Sequence, residues 1–362
     1  MQLHKFMEKN LINDAPKKPS YDFVDHIRCL AMMAIVAEHS LGAGVAVLPQ
    51  SARFNDYLHL MQVTKFGTIT FFLLAGFLIG EKFTDYTPGQ YLKRRFSNTF
   101  GPWLFWSGVF IVCFIANLAV KERMYHDGRF SLANILDGIK TVYFFTNYWF
   151  IINFMISISL LLVFKKHLYT LTFGAVLLAF TLFYSVNIHY EWINPTHTIA
   201  IFGFIFFLWL GAQLRKHWLT IDTYLHKVPY WALIIPVIIA YVLGITEIKA
   251  LAGHSSEPFN TLRFSNILYS LTVFAFLLKV RNIKMLNYLK PRDTTFGIYL
   301  IHYIILAFAI PEILRPLHIE VEELNLSQYF GYKLLFFILV YTVTIILVRL
   351  INKTKARRLV GN

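Results

Sequence analysis

Long apolar runs, broken by short polar segments, recur along the whole chain. A helix that crosses the hydrocarbon core of a bilayer needs about 20 mainly apolar residues. The pattern therefore predicts an all-α fold, a polytopic integral membrane helix bundle with about ten transmembrane helices. The predicted spans are residues 27–48, 66–82, 99–120, 141–163, 168–188, 198–214, 229–248, 264–280, 294–314 and 330–351.

The composition agrees with this pattern and excludes a soluble globular domain. Hydrophobic residues make up 57% of the chain and charged residues 15%, against about 25% charged residues in ordinary soluble domains. Residues 1–26 are polar and mixed and lack the apolar core of a cleavable signal, so the first span is expected to direct insertion. We expect three regions: a cytoplasmic N-terminal segment (1–26), a transmembrane domain (27–351) and a basic cytoplasmic tail (352–362).

The net charge of +14 would suggest nucleic acid binding in a soluble domain. In a membrane protein it indicates basic cytoplasmic loops and contact with membrane lipids instead, and we expect no nucleic acid partner. With the N-terminus inside, most of the 34 Lys and Arg residues fall on one side, which predicts that both termini are cytoplasmic. The predicted cytoplasmic segments are 1–28, 82–98, 164–168, 214–228, 279–293 and 349–362.

Metal and disulfide chemistry are not expected. The two cysteines, Cys29 and Cys113, lie in or at predicted membrane helices and resemble small apolar filling residues. No Cys/His spacing matches a zinc site, so we predict no metal ligands.

Few titratable residues fall deep inside the predicted spans, where charges are costly and mark functional sites by default. Of the 20 acidic residues, only Glu38 lies near the middle of a span. His39 and His302 are well inside, and His197 lies at an edge. No Lys or Arg is predicted at the centre of a span, and Arg28 stands at the cytoplasmic boundary.

Arg28 and His39 share one face of the first predicted helix. They are separated by eleven positions, which is about three helical turns and about 16 Å along the axis. Glu38 diverges from His39 by about 100° and so points off this stripe. Each of these deep groups has two interpretations, a hydrogen bond between helices or a catalytic role. His39 and His302 lie at comparable depths, about 18 and 12 Å from the cytoplasmic ends of their helices, so they would line one cavity if the two helices are neighbours.

Gly76 and Gly80 form a G-x-x-x-G pattern within FFLLAGFLIG. Small residues at this spacing allow two membrane helices to approach closely. We therefore predict helix packing rather than chemistry at these two positions.

Five segments together resemble acyltransferase family three, whose members are integral membrane proteins that acylate cell-surface sugars. The first carries the arginine and histidine of the stripe, and the last carries the late Y-L-x-H sequence. Three positions depart from the family pattern: Ala75 in place of Ser, Asn98 in place of Arg and Phe296 in place of Tyr. The matching segments are VDHIRCLAMMAIVAEHS (24–40), FFLLAGFLI (71–79), YLKRRFSNTFGPW (91–103), NYWFI (147–151) and TTFGIYLIHYII (294–305).

The resemblance implies a multi-pass enzyme of the bacterial plasma (inner) membrane. It would move an acyl group, usually acetyl from cytoplasmic acetyl-CoA, to a hydroxyl of a glycan or lipid-linked sugar. His39 would act as general base or transient acyl acceptor, with Glu38 orienting it or balancing its charge. The residues expected to hold the CoA phosphates are Arg28, Lys93, Arg94 and Arg95. The residues expected at the acceptor are Tyr299, His302 and Trp149. The sequence does not distinguish transfer of an acetyl group from transfer of a succinyl group. It also does not determine the oligomeric state.

Two other classes of function remain open on the residues alone. A flippase or exporter of glycan or lipid, coupled to protons through Glu38 and His39, also suits buried titratable groups in a helix bundle. A structural subunit of a polysaccharide synthase is a third reading. A carrier of this kind is expected to contain repeated halves and broken helices, and the sequence shows no obvious repeat and no paired broken helices. The Arg28–His39 stripe and the basic cytoplasmic loop suit a CoA donor better.

Overall fold

The computed structural model describes residues 21–42, 53–80, 87–319, 321 and 323–362, and these residues are all-helical. Most of the predicted N-terminal segment, the end of the first predicted span and Lys82 lie outside the described residues. Short 3₁₀ and π turns join the main helices. The main helices are α1 (Asp22–Gly42), α2 (Phe54–Thr64), α3 (Gly67–Gly80), α4 (Pro88–Arg95), α5 (Gly101–Tyr125), α6 (Leu132–Phe145), α7 (Trp149–Val163), α8 (Leu171–Tyr190), α9 (Ile205–Lys216), α10 (Trp218–Lys227), α11 (Tyr230–Leu251), α12 (Phe264–Val280), α13 (Pro291–Ile304), α14 (Ile310–Leu314) and α15 (Leu326–Asn352).

Local sequence signals set the starts of several helices. The Thr87 hydroxyl accepts a bond from the backbone N–H of Gln90, whose side chain accepts one from the backbone N–H of Thr87. Asn325 and Gln328 form the same reciprocal arrangement at the start of α15. Such capping boxes satisfy backbone donors that a helix start leaves unpaired. Pro291 begins α13, where its missing N–H costs nothing.

Among the described residues, six helical segments are long and apolar enough to cross a membrane, or seven if the bent pair α6–α7 is one span. The predicted number of about ten is therefore not confirmed, although every predicted span overlaps a helix. Two predicted spans correspond to shorter helices, the 12 residues of α9 and the 17 residues of α12. Because α9 follows two 3₁₀ turns, its apolar run does not form one long helix. The fourth predicted span bends by 54° between α6 and α7.

The second predicted span begins too late. A single 27-residue apolar segment runs from Phe54 to Gly80, through α2 and α3, so part of the stretch 49–65 between the first two predicted spans is helical. Lys65 lies inside this segment with 3% of its side chain exposed. The prediction that no Lys or Arg is central to a span was therefore wrong.

Helix α1 lies at the centre of the bundle and packs against α3, α13 and α15. It runs parallel to α13, because His26 near its start bonds Asn287 just before α13 at 2.6 Å, while His39 near its end bonds His302. It runs antiparallel to α3, since Phe23 contacts Phe77 near the far end of α3. The inner face of α1 therefore meets two helices along its whole length.

Helices α3 and α9 touch through their backbones. A Cβ added at Gly76 would lie 2.0 Å from the carbonyl oxygen of Leu208, and one added at Gly211 would lie 2.1 Å from that of Leu73. A Cβ at Gly80 would also meet Ala212, at 3.2 Å from its Cα. This confirms the close packing predicted from the G-x-x-x-G pattern and fixes one wall of the interior.

Candidate active site

A single cavity of about 390 Å³ follows the inner face of α1. Its walls come from α1, α3, the start of α7, the start of α13 and the π turn 96–100 between α4 and α5. On α1 the lining positions recur at helical spacing, from Arg28 to His39. The predicted stripe is therefore the wall of one continuous space about 16 Å long. The α1 lining residues are Arg28, Met32, Ile35, Glu38 and His39.

Three guanidinium groups line one end of this cavity, from Arg28, Arg95 and Arg292. The Arg28 Nη1 lies 3.1 Å from the Asp25 carboxylate, and the Arg95 Nε donates to the Tyr91 hydroxyl at 2.8 Å. Arg292 is exposed and forms no ion pair with any residue that the structure describes. This arginine end carries an excess of positive charge, which suits an anionic group such as a phosphate.

His39 lies at the opposite end of the cavity and bonds to His302. The Nδ1 of His39 is 2.9 Å from the Nε2 of His302. The two rings are tilted by only 10°, and their centroids are 5.2 Å apart, so the contact joins ring edges rather than stacked faces. His302 is fully buried and lies behind His39, outside the set of residues that line the cavity.

Glu38 lies beside His39 but pairs with another residue. Its Oε1 accepts a hydrogen bond from the Nζ of Lys65 at 2.7 Å, with 13% of the Glu38 side chain exposed. Glu38 lines the cavity, and Lys65 lies behind it. The wall beside His39 is therefore polar, but the Lys65 ammonium balances the charge of the Glu38 carboxylate. Lys65 was not predicted as a site residue, because hydropathy places it between the first two predicted spans.

Aromatic rings and His197 complete the walls of the cavity. Trp149 and Tyr299 both line the cavity, but the Tyr299 hydroxyl donates to the backbone carbonyl of Asn147 at 2.7 Å. The Asn147 side chain returns a bond to the Tyr299 carbonyl, also at 2.7 Å, which locks α7 to α13. The His197 ring meets Trp149 edge-on at 5.4 Å. The Nδ1 of His197 is buried and has no hydrogen-bond partner among the described residues.

The cavity brings together some of the predicted site residues and leaves others out. Lys93 and Arg94 are exposed and do not line it, whereas their neighbour Arg95 does. The predicted residues that line the cavity are Arg28, Glu38, His39, Arg95, Trp149 and Tyr299. The three departures from the family pattern, Ala75, Asn98 and Phe296, line it as well.

Arg292 is a cavity residue that sequence analysis did not select. The sequence does contain a signal for Arg292. It precedes His302 by ten positions at the start of α13, much as Arg28 precedes His39 by eleven positions on α1. The two parallel helices thus carry the same order of charge and histidine. His197 gave a weaker signal, as a histidine at the edge of a predicted span.

The arrangement suits group transfer between an anionic donor and a neutral acceptor. Cationic groups line one end, a histidine lies at the other, and apolar side chains such as Met32 and Ile35 line the space between. Among the residues that the structure describes, no group of three His, Cys, Asp or Glu could hold a metal ion. The histidine end offers proton transfer and nucleophilic attack by the imidazole of His39.

One of the comparisons with known proteins identifies a family. No curated protein and no solved structure matches the chain. A family model described as an acyltransferase domain matches residues 21–353, which includes every residue of the cavity except Gly361. The protein is thus a multi-pass membrane protein, and the chain belongs to acyltransferase family three.

Proposed function

We propose that the protein is an O-acyltransferase of the bacterial plasma (inner) membrane. It transfers an acyl group, acetyl in the first instance, from cytoplasmic acetyl-CoA to a hydroxyl of a cell-surface polysaccharide or its lipid-linked precursor. One observation carries the proposal: a single cavity connects the arginine end to His39. A donor with a phosphate-rich head and a thioester at the tip of a long arm fits that layout.

The donor head would bind at the arginine end. Coenzyme A carries several phosphate oxygens, and guanidinium groups bind phosphate through paired, charge-assisted hydrogen bonds. Arg28, Arg95 and Arg292 supply three such groups around one opening. Because the donor is cytoplasmic, this end faces the cytoplasm, in agreement with the predicted cytoplasmic termini.

The pantetheine arm would lie along the apolar middle of the cavity. Met32 and Ile35, which lie between Arg28 and His39 on α1, line this stretch. Their side chains offer no charged partner, so they exclude water without competing for the phosphates. The arm then delivers the thioester carbon to the vicinity of His39, about 16 Å from Arg28.

His39 would act as general base. The proton of the acceptor hydroxyl passes to the Nε2 of His39 as the hydroxyl oxygen attacks the thioester carbon. The carbon–sulfur bond then breaks, and the CoA sulfur leaves with the proton that His39 returns. The products are the acylated sugar and free CoA thiol. A positioned histidine contributes about 100- to 10,000-fold to such a step.

The acceptor would enter on the side of Trp149 and His197. A sugar ring presents a C–H face that packs on an aromatic ring and hydroxyl groups that need polar partners. Trp149 offers the ring, and His197, which also lines the cavity, offers a polar side chain whose Nδ1 has no hydrogen-bond partner among the described residues. The Glu38–Lys65 pair adds polar atoms beside His39.

The test is acyl-CoA binding and turnover by the purified protein in lipid nanodiscs. Glycans extracted from the membrane serve as acceptors, and mass spectrometry detects the acyl group. His39→Ala should abolish transfer while leaving CoA affinity within about twofold, and Arg28→Ala should weaken CoA binding. His254→Ala, at an exposed loop position, is the matched control and should behave as wild type.

Three outcomes would overturn parts of the proposal. Unchanged transfer by His39→Ala removes His39 from the chemistry. Label from radioactive acetyl-CoA that stays on the protein through rapid gel filtration at neutral pH, is released by mild acid and is absent in His39→Ala replaces direct transfer with a transient acyl-histidine. If the protein binds no acyl-CoA and instead moves a labelled lipid-linked glycan across the vesicle membrane, the flippase is correct.

A further inference from the structure

The hydrogen bonds behind His39 determine where its ring carries a proton. The Nδ1 of His302 lies 2.8 Å from the carbonyl oxygen of Ile298 and 3.0 Å from that of Tyr299. Carbonyl oxygens only accept hydrogen bonds, so the Nδ1 of His302 carries the proton. In a neutral imidazole the other nitrogen is then an acceptor.

The proton position on His302 determines the proton position on His39. The Nε2 of His302 has no proton, and its partner at 2.9 Å is the Nδ1 of His39. A hydrogen bond between the two requires the Nδ1 of His39 to be the donor. The Nε2 of neutral His39 is consequently left with a free lone pair, and it has no hydrogen-bond partner within the described part of the chain. His39 lines the cavity, so this lone pair is available to a substrate.

The surroundings hold both rings in this relation. His302 is fully buried, and the Tyr303 ring packs edge-on against His39 with centroids 5.2 Å apart. Helix α13 is locked to α7 through Tyr299 and Asn147. Reversal of the His302 ring would therefore break its bonds to two carbonyls at a fully buried position, where unpaired polar groups are costly.

We propose that His302 is a positioning residue that fixes His39 in the Nδ1–H form, so that its Nε2 is the base for the acceptor hydroxyl. The backbone carbonyls fix the proton on His302, and His302 in turn fixes the tautomer of His39. In a serine protease a carboxylate fixes the tautomer of the catalytic histidine, and the wrong tautomer lowers kcat by about 10⁴. When the Nε2 of His39 takes the substrate proton, its Nδ1–H still donates to His302. No proton has to leave His39 for the bond to persist.

This inference rests on the proposed acyl transfer, but it also makes a claim that does not need turnover. In ¹⁵N-histidine NMR of the protein in nanodiscs, the His39 signals, assigned by their loss in His39→Gln, should be those of an Nδ1–H ring. In His302→Leu the same ring should lose that preference and populate the Nε2–H form. A wild-type His39 that carries its proton on Nε2 would overturn the inference whatever the activity.

Turnover measurements provide a second test of the role of His302. His302→Leu should lower kcat at least about 100-fold and leave the Kd for acetyl-CoA unchanged, because His302 does not line the cavity. His302→Gln places an amide oxygen where the Nε2 accepts, so it should retain at least ten times more activity than His302→Leu. Equal activity of the two variants, or a wild-type kcat in His302→Leu, would contradict a positioning role.

His26→Gln controls for the loss of a buried histidine. His26 is also buried and joins α1 to the turn before α13 through Asn287, but it does not line the cavity. It should keep the wild-type kcat and His39 spectrum. If wild type transfers no acyl group while its His39 still shows the Nδ1–H ring, the proposed function fails and the tautomer assignment stands.

Discussion

Lys65, in the turn between α2 and α3, and Glu38 of α1 form a buried ion pair, with 2.7 Å between the Nζ and Oε1 atoms. Loss of either partner is expected to destabilise the protein, because it would leave a single charge buried without its counter-ion. We expect Lys65→Met and Glu38→Gln each to destabilise the protein by about 3–5 kcal/mol. Thermal unfolding in detergent measures the effect.

The double variant Lys65→Met/Glu38→Gln separates the pair from the packing around it. It removes both charges and should unfold at a higher temperature than Lys65→Met alone. Arg315→Ala is the matched control, since the Arg315–Glu312 pair is exposed and exposed pairs contribute little. If Lys65→Met unfolds like wild type, the ion pair does not stabilise the protein.

The pair also illustrates what the sequence can and cannot predict. Helical periodicity relates residues within one helix, so it predicted that Arg28 and His39 share a face. It contains no information about which helices touch. The bonds from Glu38 to Lys65 and from His39 to His302 join residues 27 and 263 positions apart, and they depend on the packing of α1 against α3 and α13.

The number of spans shows a related limit. Hydropathy detects apolar runs, and every predicted span overlaps a helix, but it does not show whether a run stays helical. The apolar stretch before Ile205 contains two 3₁₀ turns, and the run through Asn147 bends. The G-x-x-x-G prediction succeeded because small size at a fixed spacing has few structural uses in a membrane helix.

Substitution at Gly76 should disrupt the fold without touching the cavity chemistry. The added methyl of Gly76→Ala would lie 2.0 Å from the Leu208 carbonyl oxygen, so α3 and α9 must separate. Overpacking of this kind costs about 1–3 kcal/mol or more, seen as a lower unfolding temperature. Gly108→Ala, where an added Cβ meets no atom within 4 Å, should not lower it. Equal effects of the two variants would contradict the close helix contact.

Arg292 should contribute to phosphate binding if the donor head occupies the arginine end. We expect Arg292→Ala to raise the Kd for acetyl-CoA about tenfold, which corresponds to the loss of about 1.4 kcal/mol. Acetyl-pantetheine lacks the nucleotide phosphates, so its weaker binding should change little. Isothermal titration measures both. Lys166→Ala, which changes an exposed lysine of the predicted cytoplasmic loop 164–168, is the control. If Arg292→Ala weakens the binding of acetyl-CoA and acetyl-pantetheine equally, Arg292 does not contact the phosphates.

His197 should affect the acceptor and leave the donor alone. Its Nδ1 is buried without a partner among the described residues, and its ring packs edge-on against Trp149. His197→Phe keeps an aromatic ring at Trp149 but removes the polar atoms. We expect the KM for the glycan acceptor to rise about tenfold, as for the loss of one hydrogen bond of about 1.4 kcal/mol, with the Kd for acetyl-CoA unchanged. Initial rates at varied acceptor concentration, beside a direct CoA binding assay, distinguish the two. A variant that loses CoA affinity but keeps its acceptor KM would place His197 on the donor path instead, and would move the acceptor entrance away from Trp149.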